Sequence, residues 1–155
     1  MHLLFVCLGN ICRSPTAEAV MADLARREGR HDIVVDSAGT AAWHVGKGPD
    51  RRSVAAAARR GITVAGAARQ VTAADFAAFD LLLAADHDNL AELHRLAAGD
   101  EERRRAVLLR SFDHVSVAAG TLAVPDPYYG GASGFDEVLD IVQAACEGLL
   151  AAHPR

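Results

Sequence analysis

The hydrophobic pattern of this chain switches repeatedly between two periods. Leu3-Leu4-Phe5-Val6 is a continuous apolar run, the pattern of a strand buried on both faces of a parallel sheet. After a polar turn, Ala17, Val20, Met21 and Leu24 recur at helical spacing, with Glu18, Asp23, Arg26 and Arg27 opposite and Gly29 placed to end the helix. Ile33-Val34-Val35 predicts a second strand, followed by a turn-rich stretch from Ser37 to Pro49. Asp50 to Arg60 predicts an alanine-rich helix closed by Gly61, and Ile62-Thr63-Val64 a short extended piece. Thr72 with Asp75 three residues on has the spacing of a capping box for a helix through Phe79. Leu81 to Ala85 predicts the third strand, Asp88 to Ala98 a helix, and Val107-Leu108-Leu109 the fourth strand. Arg103-Arg104-Arg105, beside Asp100, Glu101 and Glu102, reads as a solvated charge run. Ser133 and Asp136 are expected to cap a last helix with the apolar stripe Phe135, Val138, Leu139, Val142, Cys146 and Leu149. Strands alternating with helices through short joints specify an α/β fold, a parallel sheet covered on both faces. With no internal repeat or linker, residues 1–155 are expected to form one domain.

Composition narrows the class. At 155 residues and 51% hydrophobic content the chain can bury a core without disulfide or metal staples. A net charge of -4 argues against nucleic-acid binding, which usually demands a basic face. No apolar run reaches the ~18–20 residues of a membrane span. The opening MHLLFVC is too short for a signal segment and meets Asn10 and Arg13 almost at once, so a cytoplasmic protein is expected. Three cysteines are no secreted disulfide framework.

In parallel sheets ligands sit beyond the carboxyl ends of the strands. The first such joint reads Cys7-Leu8-Gly9-Asn10-Ile11-Cys12-Arg13-Ser14-Pro15 and lacks both the dinucleotide and the P-loop glycine patterns. It holds a cysteine at the strand end and an arginine six positions later, at the start of a helix. Gly9 and Asn10 tolerate positive φ, and a turn through them can aim successive N–H groups inward as an anion nest. Ser14 is expected to cap the helix, with Pro15 at its first position. A thiol facing these N–H groups, a helix N-terminus and Arg13 is favoured as the thiolate. The same surroundings suit an oxyanion that Arg13 grips through two oxygens. A nucleophilic thiolate beneath a cradled phosphoryl group is a phosphoryl-transfer site. Pro125 and Pro127 stiffen the backbone around Asp126, a frame able to hold a carboxyl over a pocket as an acid. Cys7 and Cys12 make no zinc site, having no second ligand pair. Cys146, on the apolar stripe, reads as core.

Val6 to Pro15 resembles the signature loop of the low-molecular-weight protein tyrosine phosphatases. The likeness extends to Ser37-Ala38-Gly39-Thr40, Trp43-His44-Val45-Gly46, Ala68-Arg69-Gln70 and Asp126-Pro127-Tyr128-Tyr129, in the family's order. It implies a phosphotyrosine phosphatase I-like fold, a four-stranded parallel twisted sheet with helices on both faces. It also implies hydrolysis of phosphotyrosine and small aryl phosphates through a phosphocysteine. Cys7 is then the nucleophile, Arg13 the phosphoryl clamp, Ser14 the hydroxyl that stabilises the thiolate, and Asp126 the general acid and base. Leu8, Gly9, Asn10, Ile11 and Cys12 contribute the rest of the phosphate loop. Asn10 holds its unusual backbone with help from Ser37, and Trp43, Tyr128 and Tyr129 wall the slot for the ring. His44 is assigned no role. One departure stands out: where the family often has a histidine two residues before Arg69, touching the loop asparagine, this chain has Ala67.

No metal or cofactor is expected; the implied partner is a phosphotyrosine protein, with phosphate and other oxyanions as inhibitors. An arsenate reductase on the same scaffold needs further redox cysteines, and Leu81 to Leu93 contains none. A phosphoarginine phosphatase usually has threonine where Ile11 stands, and a branched apolar residue suits an aromatic ring better. A non-catalytic phosphate-binding module leaves Cys7 and the proline-framed Asp126 without purpose. Finally, an accessible thiolate is open to peroxide, and Cys12 in the same loop has two readings, plain loop packing or a redox partner that traps the oxidised sulfur as a disulfide.

Overall fold

The computed structural model describes residues 1–155. Four strands, β1 (His2–Cys7), β2 (Val34–Gly39), β3 (Leu81–Ala84) and β4 (Ala106–Leu108), form one sheet in the order β2-β1-β3-β4. Every pairing is parallel, with Cys7 opposite Gly39 and Val6 opposite both Ala38 and Ala84. β1 is central and paired on both sides, which is why Leu3 to Val6 are apolar without alternation and almost wholly buried. Seven helices connect and cover the strands: α1 (Arg13–Arg27), α2 (Arg51–Ala58), α3 (Asp75–Ala78), α4 (His87–Leu96), α5 (Asp100–Arg105), α6 (His114–Ala119) and α7 (Ser133–Ala152). The core divides at the sheet. Leu3, Phe5 and Leu83 face a larger cluster with Val20 and Met21 of α1 and Val138, Val142 and Cys146 of α7. Leu4, Val6 and Leu82 face a smaller one with Phe76 and Leu93. The stripe predicted for α7 is buried throughout.

The departures from the sequence pattern have local causes. β2 runs on through Asp36-Ser37-Ala38-Gly39, a stretch whose composition predicts a turn. Pairing with β1 along its whole length holds it extended, with Ser37, Ala38 and Gly39 buried. A side chain at Gly39 would bring its Cβ to 2.8 Å from the Leu8 carbonyl oxygen, so β2 ends where only glycine lets the next loop approach. The short piece Ile62-Thr63-Val64 lies outside the sheet, with Ile62 and Val64 buried as loop anchors. The charge run at Arg103–Arg105 closes α5, a helix with acids in its first turn, bases in its last and no buried residue. Neither Ser14 nor Ser133 caps a helix. Cys12 and Ala132 occupy those positions without side-chain bonds, Ser14 turns toward Cys7, and Asp136 pairs with Arg59 and Arg60 instead. α6 and the 3-10 turn Leu109–Phe112 before it were not visible in the hydrophobic pattern.

Candidate active site

At the carboxyl end of β1 the chain turns sharply from Cys7 into α1. Asn10 is the single non-glycine residue with positive φ, at 56°. Gly9 is needed for another reason than the one its sequence context suggests. Its φ is not positive, but a Cβ there would meet the His44 ring at 2.9 Å. The Asn10 amide donates to Cys7 Sγ at 3.3 Å. The amides of Leu8, Gly9, Ile11 and Cys12 have no acceptor within the protein and are free to donate to an anion.

Behind this loop runs a chain of side-chain hydrogen bonds. Ser14 Oγ lies 3.0 Å from Cys7 Sγ. Asn10 Nδ2 donates to Ser14 Oγ at 2.8 Å and to Ser37 Oγ at 3.0 Å, and Ser37 donates to Glu18 Oε2 at 2.5 Å. A carboxylate only accepts, so Glu18 fixes the direction of the chain. Ser37 gives its proton to Glu18, Asn10 supplies both amide protons, and the Ser14 hydroxyl has its one proton for the Cys7 sulfur at 3.0 Å, with the Ala38 carbonyl at 3.4 Å the competing acceptor. Asn10 Oδ1 accepts from the Arg69 backbone N–H at 3.0 Å, and the Arg69 guanidinium is tied to Asp36 and Asp75. The loop asparagine is therefore held without a histidine; Ala67 borders a cavity of about 80 Å³ lined by Asn10, Glu18, Asp36 and Ser37. Burial pushes the Glu18 carboxyl above its ordinary range, Asp36 adding to this while Ser37 and Arg69 oppose it.

Arg13 is 4% exposed. It donates from Nη1 to Asp86 Oδ2 at 2.7 Å and to the Val124 carbonyl at 3.1 Å, and its Nη2 lies 3.5 Å from Asp126 Oδ2. Burial works against its charge, but the Asp86 bond and the neighbouring Cys7, Asp86 and Asp126 more than offset it, and its pKa is raised. Asp86 is itself held, capping α4 through the Asn89 amide. Val124 is pinned by its own amide to the Ala85 carbonyl at 2.7 Å, so the segment carrying Asp126 starts from the sheet. Asp126 accepts from the Tyr128 amide at 3.1 Å and is 44% exposed. Burial pushes the Cys12 thiol up to about 12, its bond to Ser53 opposing, so Cys12 is a neutral thiol at physiological pH.

Cys7, Leu8, Gly9, Ile11, Cys12, Arg13, Trp43, Asp126, Tyr128 and Tyr129 line one slot of about 90 Å³. His44 joins them, its ring 6.3 Å from that of Tyr128, a neighbour the sequence reading left without a role. Asn10, Ser14 and Ser37 lie behind the loop as its support. Trp43 and Tyr129, 72% and 95% exposed, form the rim rather than the depth of the slot. Glu18, Asp86 and the Val124 carbonyl were missed as working parts. Their contacts with the loop cross distant segments, and Asp86 shows in sequence only as a capping acid before a helix.

Residues 2–154 match the family described as low molecular weight phosphotyrosine protein phosphatase. The low molecular weight protein-tyrosine-phosphatase of Streptomyces coelicolor is 49% identical over 149 residues, 96% of this chain and 90% of that one. The crystal structure of a protein tyrosine phosphatase from Entamoeba histolytica, with Hepes in its active site, is similar at a TM-score of 0.90 and 41% identity, covering 96% of this chain and 94% of that one. The Drosophila arginine phosphatase is similar at a TM-score of 0.92 and 32% identity, covering 100% and 99%.

Proposed function

Since the chain belongs to the low molecular weight phosphotyrosine protein phosphatase family, we propose that it hydrolyses phosphotyrosine in proteins through a phosphocysteine on Cys7. The observation that carries this is the floor of the slot: the Cys7 sulfur, 3.0 Å from the Ser14 hydroxyl, amid amides without internal acceptors. Cys7 Sγ attacks phosphorus as the bond to the phenolic oxygen breaks. Arg13 and the loop amides hold the phosphoryl oxygens, and Asp126 gives its proton to the departing phenolate. Water then attacks the phosphocysteine and yields its proton to the Asp126 carboxylate. The P–S bond breaks, phosphate leaves, and Ser14 donates to the restored thiolate. Ile11 and Tyr128 give the slot apolar walls, with Trp43 and Tyr129 at its rim, an arrangement that suits a phenyl ring reaching a deep nucleophile.

The test is release of phosphate from a phosphotyrosine peptide, assayed in chelator. Cys7→Ser is expected to abolish turnover yet still bind phosphate; full activity in that variant refutes the mechanism. Arg13→Ala is expected to lose binding and rate together, because its charge-assisted bonds serve ground and transition states alike. The likeness to an arginine phosphatase makes phosphoarginine the second substrate to try. Ile11 leads us to expect a kcat/KM well below that for phosphotyrosine, and comparable values overturn the tyrosine assignment.

A further inference from the structure

Arg52 stands between the two loops that the proposed chemistry requires. In the first turn of α2, its Nε and Nη2 fork onto the Asp50 carboxylate at 3.1 and 2.9 Å. Asp50 also caps the helix by accepting from the Arg52 amide at 2.8 Å, and its own amide donates to the Ile11 carbonyl at 2.8 Å. One end of this assembly is thus fixed to the nucleophile loop. At the other end Arg52 Nη2 donates to the Tyr128 carbonyl at 3.0 Å. The guanidinium lies 4.6 Å from the centre of the Phe135 ring and 5.6 Å from that of Tyr128, distances at which a cation is attracted to a ring face.

The segment it holds has little else to hold it. From Pro125 to Gly130 the chain receives one hydrogen bond from outside itself, the one from Arg52, beside the 3.5 Å ion pair of Asp126 with Arg13. Tyr129 is almost wholly exposed, and two glycines follow. Yet the Tyr128 amide is the group that orients the Asp126 carboxylate. Tyr128 is therefore gripped at its carbonyl by Arg52 and grips Asp126 by its amide. Besides this grip, the 3.5 Å ion pair of Arg13 with Asp126 joins the acid itself to the nucleophile loop.

We propose that Arg52 is a positioning residue for Asp126, a strut that sets the acid's place relative to the nucleophile loop. The inference rests on the reading of Asp126 as general acid. Only a planar fork can bind Asp50 twice, reach the Tyr128 carbonyl and lie across two rings; lysine keeps the charge but not this geometry.

The experiment measures kcat/KM, which reports formation of the phosphocysteine, for phenyl phosphate and for 2,4-dinitrophenyl phosphate. Wild type, Arg52→Ala, Arg52→Lys, Asp126→Ala and the Arg52→Ala/Asp126→Ala double variant are compared, with amide hydrogen exchange followed across residues 126–130. Arg52→Ala is expected to lose about tenfold on phenyl phosphate, in keeping with the cost of a small misplacement of a catalytic group. The dinitrophenyl ester, whose leaving group needs no proton, is expected to change little. Arg52→Lys should show the same pattern more weakly. In the Asp126→Ala background, removing Arg52 should cost nothing further, and exchange over 126–130 should rise in Arg52→Ala while the α7 core stays protected. Equal losses on both esters, additive losses in the double variant, or unchanged exchange over 126–130 overturn the proposal. If Asp126→Ala alone loses equally on both esters, the acid assignment fails first, in a variant that leaves Arg52 intact, and the strut falls with it.

Discussion

Glu18 ends the hydrogen-bond chain that begins at the Cys7 sulfur, and it is half-buried beside Asp36 with Arg69 as the nearest counter-charge. Its carboxyl binds a proton more tightly in the folded protein than in the unfolded chain. The associated stability is therefore complete below the ordinary glutamate range near 4.5 and is lost as pH rises through the raised folded value. Glu18→Gln keeps an oxygen for Ser37 to donate to, so the variant should fold. The expected result is a flatter dependence of melting temperature on pH in that window; an unchanged slope shows that Glu18 is not its source. Cys12 offers a second test at this scale. Peroxide is expected to oxidise Cys7 to a sulfenic acid, with which the Cys12 thiol then condenses, losing water and forming a disulfide. Because burial keeps Cys12 protonated, this closure should be slow. Dithiothreitol should restore activity in the native protein and not in Cys12→Ser. Mass spectrometry without reductant decides: Cys7 found only as sulfinic or sulfonic acid, with Cys12 free, means there is no switch.

Among the elements, those with a strong period were legible and those defined by contact were not. β1 and α7 announced themselves because each buries a continuous run or stripe. The extension of β2 through Ser37 to Gly39 did not, since it depends on hydrogen bonds from β1 that local composition opposes. The same division holds in the site. Cys7 to Ser14 is one contiguous loop and could be read as such. The Asp86, Glu18 and Arg69 contacts join residues brought together only by the sheet order. A contact of this kind governs α7 at Gly148, where an added Cβ would lie 1.9 Å from the Phe112 carbonyl oxygen. Alanine gains about 1 kcal/mol of helix propensity over glycine. Overpacking against backbone that cannot rotate away costs about 1–3 kcal/mol. Gly148→Ala should therefore be destabilised on balance, measurable by urea denaturation, whereas the open Gly48 should tolerate the same change nearly unaltered.

For the whole molecule, the nest makes anion binding a contribution to folding stability. A ligand that binds only the folded state adds about 2.7 kcal/mol at a hundred times its Kd. Inorganic phosphate should raise the melting temperature of the native protein and of Cys7→Ser alike, and much less that of Arg13→Ala. Equal shifts in all three indicate that the anion acts elsewhere. No helix is long and apolar enough to cross a membrane.

Arg13 also dates the site within the life of the chain. Its partners Asp86 and Val124 lie 73 and 111 residues further along. At ribosomal rates of roughly 5–20 residues per second, Arg13 waits on the order of ten seconds for the Val124 carbonyl after it has itself been made. Throughout that interval the nascent chain has its thiol, its arginine and its loop sequence, and from residue 86 the Asp86 acceptor, but neither the Val124 carbonyl nor Asp126. Phosphatase competence arrives with the final fifth of translation. A truncated product therefore yields an unclamped cysteine rather than a partly active enzyme.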